Sequence, residues 1–223
     1  MTKSEELINR LKEKNKRYFS CDNVSDVFEY GDKDALIEEV TGKFEAVLRA
    51  LLIDVDNDPN ATGTAHRMAK MYINELFEGR YTPEPKVTAF PNTGEEAYKG
   101  MLVVRADIKS MCSHHHQPVT GVCYIGIIPS HKVIGLSKYS RVAWHEARRG
   151  TLQEELTQRI MKRIKTLTES DDVAVYIEAE HGCMCNRGVL AKNSLTQTCS
   201  ISGQFNDMTV KEEFFRQIQM RKE

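Results

Sequence analysis

Two short clusters hold the residues of this chain most able to do chemistry. Met111-Cys112-Ser113-His114-His115-His116 gathers one thiol and three imidazoles, and His181-Gly182-Cys183-Met184-Cys185 adds two thiols and another imidazole. Thiolate sulfur and imidazole nitrogen together suit zinc better than magnesium or calcium, which take oxygen ligands. Cys112-x-x-His115 has the spacing at which a thiolate and an imidazole of one loop reach a common ion, and Cys183 would complete a three-ligand set. Three protein ligands leave the fourth tetrahedral position to water, which is the catalytic pattern. Four would make a closed staple between two loops. By residue type alone His114 and His116 rival His115, and Cys185 rivals Cys183. Histidines beside a metal but not bound to it are candidate proton carriers, because imidazole titrates near neutrality; His114 and His181 fit that description. His66, His131 and His145 stand apart and read as surface residues.

Cations and a carboxylate supply the other candidate contacts. Gly135-Leu136-Ser137-Lys138-Tyr139-Ser140-Arg141 ends a short strand and opens a helix. With Ser137 as N-cap, the helix N-terminus, Lys138 and Arg141 would cradle a phosphate; the plainer reading is a solvated helix face. Arg187, four residues after Cys183, would bring a guanidinium near the metal cluster, or would sit in an ordinary loop beside Gly188. Gln153-Glu154-Glu155 opens an amphipathic helix. A carboxylate there can pair with the N–H donors of guanine, or can simply complement the helix dipole.

These residues must be positioned by a chain of two characters. The first third reads as helix: residues 3–17, with Leu7, Ile8 and Leu11 at helical spacing; residues 33–53, with a stripe from Leu36 to Leu52; and residues 65–78, with Thr64 as cap and Met68, Met71, Tyr72 and Leu76 as apolar face. Beyond Pro83 and Pro85 the period becomes two. Residues 101–109, 119–128, 172–180 and 195–205 read as strands, with helices at 137–147 and 151–168 between the pairs. The expected fold is α+β: an antiparallel sheet with two helices on one face, divided as 1–82 (helical region) and 83–223 (catalytic domain).

Composition narrows the function classes. The 31 basic and 32 acidic residues nearly balance, so there is no electrostatic footprint for nucleic acid or an anionic membrane. No apolar run approaches the roughly 20 residues of a membrane helix, and the charged N-terminus is unlike a secretory signal. A cytoplasmic setting is expected, in which the six cysteines are free thiols or metal ligands. Cys123 and Cys199 lie in strand-like runs and read as small buried hydrophobes.

Together the stretches TAHRMAKMYINELFEG (64–79), MCSHH (111–115), VIGLSKYSR (133–141), LQEELTQRI (152–160) and HGCMCNRG (181–188) resemble GTP cyclohydrolase I. The resemblance runs in family order across about 64–205. It implies that Cys112, His115 and Cys183 hold zinc, which activates a water for attack on carbon 8 of the guanine ring. His114 and His181 would shuttle protons, and Gln153 and Glu154 would hold the guanine edge. Ser137, Lys138, Arg141 and Arg187 would bind the triphosphate, with Arg67 and Lys70 reaching in from a neighbouring subunit. Formate would leave, and the ribose would rearrange and close to 7,8-dihydroneopterin triphosphate. The resemblance also implies the tunnelling fold, with β-β-α-α-β-β order, and a homodecamer with active sites between subunits. The chain departs from the family pattern at Ser113, where Glu is usual, at His116, where an apolar residue is usual, and at Ala65-His66 before Arg67. Two alternatives remain: the same fold acting on another purine nucleotide on a deazapurine route, or a non-catalytic, zinc-stapled oligomeric binding protein.

Overall fold

The computed structural model describes residues 1–220, which fall into two units, Met1–Pro83 and the chain from Glu84 onward.

In the first unit, α1 (Lys3–Glu13) starts at a capping box: Thr2 Oγ1 accepts from the Glu5 N–H, and Glu5 accepts from the Thr2 N–H at 2.8 Å. The helix buries Leu7 and Leu11 and stops four residues short of the expected end. Residues 14–17 hold no apolar side chain to bury, and Asn15 turns left-handed at φ +50°. α2 (Asp32–Ala50) likewise ends before residue 53. Leu52 adopts φ +63°, and the Ile53 N–H returns to Leu48 O in a Schellman-type stop. Its stripe is buried at Leu36, Ile37 and Leu48, while Val47, Leu51 and Leu52 are exposed. α3 (Thr64–Met71) is capped by Gly63 and not by Thr64, whose hydroxyl accepts from Arg67 Nη2 at 2.8 Å. It runs on through a π-turn at Tyr72–Leu76 to α4 (Glu78–Tyr81). Ala65, Ala69 and Ile73 form the buried stripe, and the larger Met68, Met71, Tyr72 and Leu76 are only partly covered. Small residues at i and i+4 let two helices approach closely.

Asp32 ties α1 to α2. It is 5% exposed and accepts hydrogen bonds from Lys3 Nζ (2.9 Å), Arg10 Nη1 and the Glu29 N–H (2.8 Å). Burial pushes its carboxyl up, but these donors outweigh burial and hold its pKa at about 2.

In the second unit, β1 (Ala89–Pro91) pairs with β4 (Lys132–Ile134) in a two-stranded sheet. The main sheet is antiparallel throughout, in the order β2 (Leu102–Met111), β3 (Pro118–Ile127), β5 (Val173–His181), β6 (Thr196–Ile201). α5 (Leu136–Ala147) and α6 (Gln153–Thr168) cover one face. Ala106, Ile108, Cys123, Ile125, Val175 and Ile177 meet Tyr139, Val142, Leu156, Ile160 and Ile164 there. This is the α+β tunnelling arrangement expected.

The opposite face carries a helix that the strand pattern did not announce, α8 (Met208–Gln219). Asp207 caps it by accepting from the N–H groups of Thr209 and Val210, and Phe214 and Ile218 pack with Phe205 on Val103, Tyr124, Ala174 and Tyr176. The last strand is shorter than expected because Gly203–Asn206 turns to deliver Phe205 into this second core. Cys123 is fully buried, whereas Cys199, expected to be buried, is exposed on the edge strand. No helix among the described residues is long and apolar enough to cross a membrane.

Two outcomes follow. Between pH about 4 and about 2 an unfolded Asp32 binds a proton that the folded one resists, so the stabilisation, on the order of 2 kcal/mol, is complete above that window and lost as pH falls through it. Hydrogen exchange of α1 and α2 amides in the intact chain should show this loss in the wild type and a flatter profile in Asp32→Asn; identical profiles would disprove the role of Asp32. A Cβ at Gly126 would lie 2.7 Å from Phe214. Gly126→Val should therefore cost about 1–3 kcal/mol in urea unfolding. Adding Phe214→Ala should cost less than the sum of the two single changes.

Candidate active site

β3 is the pivot of the site. Its first residue, Pro118, pairs with Met111 at the end of β2, and its second, Val119, pairs with His181 at the end of β5. The ladder therefore delivers both chemical clusters to one end of the sheet. Between β2 and β3 the chain turns tightly. The Cys112 N–H donates to Gln117 O and the His116 N–H to Cys112 O, each at 2.9 Å, with His116 left-handed at φ +48°. After β5, Gly182 opens the short helix α7 (Gly182–Cys185) hard against β3. A Cβ at Gly182 would stand 3.1 Å from the Pro118 carbonyl oxygen and 2.9 Å from Asn186 Nδ2, so a side chain there would push α7 away.

The consequence is that two thiols stand near each other. The Cys183 thiol is close enough to Cys112 for each to feel the other's charge. Burial first, and then the neighbouring Cys112, push the Cys183 thiol up, while the Arg187 guanidinium pulls it down. Arg187 is thus within electrostatic reach of the cluster. Cys185 turns instead toward the Ser194 carbonyl, 4.0 Å away, so of the two rivals it is Cys183 that meets Cys112. His114 and His115 are exposed in the turn, with ring centroids 6.4 Å apart and the planes edge to face.

No three His, Cys, Asp or Glu side chains among the described residues surround a common point as they stand. The donor chemistry nonetheless fits a zinc ion. Two thiols already share one corner, neither is in a disulfide, and an imidazole follows three residues after the first. Zinc takes such sulfurs as thiolates.

His181 reaches this corner from the end of β5 and is half-buried. Its Nε2 lies 2.7 Å from Gln153 Oε1. Burial holds its pKa below the usual imidazole value, partly offset by the Glu154 carboxylate. Glu154 is exposed beside it, on the first turn of α6. Gln153, expected at a guanine edge beside Glu154, faces inward: it is 3% exposed, and its Nε2 points at Ile177 O (3.2 Å), Thr196 O (3.0 Å) and Thr198 Oγ1 (3.1 Å). The loop before α6 is pinned to the same corner by the Thr151 N–H, which donates to Met111 O at 3.2 Å.

The profile of the family described as GTP cyclohydrolase I matches residues 42–219. The chain is 41% identical to GTP cyclohydrolase 1 of Aeromonas salmonicida (strain A449) over 170 residues, which is 75% of this chain and 77% of the relative. It is 34% identical to GTP cyclohydrolase 1 of Flavobacterium johnsoniae over 197 residues, 87% of this chain and 86% of that one. The chain belongs to the GTP cyclohydrolase I family. Among solved structures it is similar to the apo archaeosine synthase QueF-Like, with a TM-score of 0.40 and 14% identity, over 46% of this chain and 93% of that one.

Other residues singled out from the sequence stand elsewhere in this GTP cyclohydrolase I chain. Ser137 does not cap α5; Gly135 does, and no side chain closes the first turn. The C-terminal end of α5 is the one beside the thiols, because Ser110 Oγ donates to Ala147 O at 2.6 Å and Trp144 Nε1 to Asp107 O at 3.0 Å. Ser137 and Lys138, ten and nine residues before Ala147, are therefore roughly 15 Å back along the helix, with Arg141 midway. Within one chain these cations and the thiols do not meet. Arg67 and Lys70 are exposed in the helical unit, and Arg67 folds back on Thr62 O and Thr64. Sequence reading missed Thr157 and Thr198, whose hydroxyls meet at 2.7 Å beneath Gln153. The available signal was Thr157 one helical turn after Gln153, and Thr196 and Thr198 on one face of β6.

Proposed function

We propose that this chain opens the imidazole ring of GTP by hydrolysis, releases formate and forms 7,8-dihydroneopterin triphosphate at the corner of Cys112, Cys183 and His181. The observation that carries this reading is the nearness of the Cys112 and Cys183 thiols beside a half-buried His181, in a chain of the GTP cyclohydrolase I family. Cys112, His115 and Cys183 would hold zinc, a Lewis acid that brings the pKa of a water toward neutrality. His114 and His181 move the protons, one delivered to nitrogen 7 of the guanine ring and one handled as the ring opens. Glu154, exposed next to His181, accepts from the guanine N–H donors, and Arg187 offers the nearest cation to a polyanion. Ser137, Lys138 and Arg141 serve the triphosphate of a site in another copy, and Arg67 and Lys70 do so from a further one. The placement of α5 supports this: its phosphate-binding end faces away from its own thiols. We accordingly infer a homo-oligomer with active sites between subunits.

The test is turnover of GTP, read as fluorescent pterin after oxidation and dephosphorylation, alongside bound zinc. Cys112→Ala and Cys183→Ala should lose both metal and turnover, and Cys185→Ala should keep both. His114→Ala should keep zinc and lose about 10²- to 10⁴-fold in kcat. Loss of zinc from His114→Ala would put His114 on the metal in place of His115. Zinc-loaded wild type that gives no pterin from GTP would sink the assignment.

A further inference from the structure

We propose that Gln153 is a positioning residue that fixes which nitrogen of His181 carries the proton. The inference rests on the reading of His181 as a proton carrier given above and deepens it.

The orientation of the Gln153 amide follows from its neighbours. A side-chain amide has an NH₂ end that only donates and an oxygen end that only accepts. One end of Gln153 faces the main-chain carbonyls of Ile177 on β5 and Thr196 on β6. Both of those are acceptors, so the NH₂ must be at that end. The opposite end is then oxygen, and it faces His181 Nε2 at 2.7 Å. An amide oxygen has no proton to give, so His181 must donate. The neutral ring therefore carries its proton on Nε2 and keeps Nδ1 as its one basic nitrogen.

Flipping the amide would set its oxygen against two carbonyl oxygens at 3.0–3.2 Å in a site that is 3% exposed. Burying such a mismatch costs about 1–3 kcal/mol for each unsatisfied group, so the orientation is held. Further contacts brace it. The Thr198 hydroxyl lies 3.1 Å from the amide nitrogen, Thr157 Oγ1 lies 2.7 Å from Thr198 Oγ1, and Thr157 Oγ1 donates to the Gln153 carbonyl at 2.8 Å. The ring is thereby tied to α6, β5 and β6 together. A histidine that could sample both tautomers would present a basic nitrogen at the reacting centre only part of the time.

The experiment compares wild type with Gln153→Met, which keeps the length of the side chain and removes every hydrogen bond that side chain makes, and with Thr198→Val, which removes one brace. Solid-state NMR of zinc-loaded, histidine-labelled enzyme reads the ring ¹⁵N and ¹³Cδ2 shifts of His181, assigned by the signal missing from His181→Phe. Wild type should show the Nε2–H tautomer. Gln153→Met should show a mixture, with zinc retained, KM for GTP within about threefold and kcat lower by about 10- to 100-fold. Thr198→Val should move the same way by less, and it carries the test if Gln153→Met does not fold. A wild-type ring with its proton on Nδ1, or a tautomer unchanged in both variants, overturns the proposal. So does a large rise in KM with kcat retained, which would make Gln153 a substrate contact. Turnover retained in His181→Phe would defeat the underlying reading of His181 and would leave the wild-type tautomer measurement to judge Gln153 separately.

Discussion

The register of β3 between β2 and β5 is the constraint on which the site depends. Side chains alternate across a strand with a period of two, so a slip by one residue would send each side chain to the other face. With Met111 against Pro118 and Val119 against His181, the ends of two strands that do not pair with each other come together, and the residues just past those ends, Cys112 and Cys183, stand near each other. The core holds this register. Ala106, Ile108, Cys123, Ile125, Val175 and Ile177 must all face α5 and α6, while Val103, Tyr124, Ala174 and Tyr176 must all face α8. Both faces of the sheet are covered, so a slip would empty two cores at once. The close approach at Gly182 then fixes how far α7 stands from β3.

Buried polar groups set the second half of the geometry, where α6 begins. Glu146, 5% exposed, accepts from Arg149 at 2.8 Å and from Arg159 at 2.9 and 3.0 Å. Such buried ion clusters add little net stability over an apolar replacement, because desolvation offsets the attraction, yet removing one partner is costly. What this cluster contributes here is position. It locks the end of α5 to the second turn of α6, so the first residue of α6 has one place to stand. That residue is Gln153. The cluster and the Thr151–Met111 hydrogen bond therefore set where the amide meets His181.

Much of the fold could be read from the chain because its pattern was local. The alternation of Val173, Val175 and Ile177 with Tyr176 and Glu178, and the stripe from Leu156 to Ile164, each declare their element within a few residues. The ends of elements were less legible. Asn15 and Leu52 stop helices by turning left-handed, and nothing in the type of Leu52 announces that, because a residue with a branched side chain seldom takes that backbone. Thr64 and Ser137 looked like caps by type, but glycines took both positions. α8 carries a cap at Asp207 and a stripe at Val210, Phe214 and Ile218, but it follows directly on the strand-like run that ends at Phe205, whose period of two hides its start. In the site, the two clusters and their separate strands were legible as residue types. The inward turn of Gln153 was not. Its partners include the carbonyl of Thr196, 43 residues along the chain, and a main-chain acceptor leaves no mark in the sequence.

The position of α5 links the chemistry to assembly. The proposed reaction needs the base of a nucleoside triphosphate near His181 and Glu154 and its phosphates near several cations. One chain offers Arg187 at that corner and sends Ser137 and Lys138 roughly 15 Å back along the helix. β2 and β6 are the outer strands of the four-stranded sheet, and the β2 edge is partly used within the chain, where Trp144 Nε1 donates to Asp107 O and the Thr151 N–H to Met111 O. The homo-oligomer inferred above would have to bring together between chains the two halves that this geometry separates within one. A protomer held apart from its neighbours would keep its thiol pair and its His181–Gln153 hydrogen bond, since both are made entirely within the second unit. Arg187 would remain at that corner, and the cations of α5 would remain at the far end of the helix.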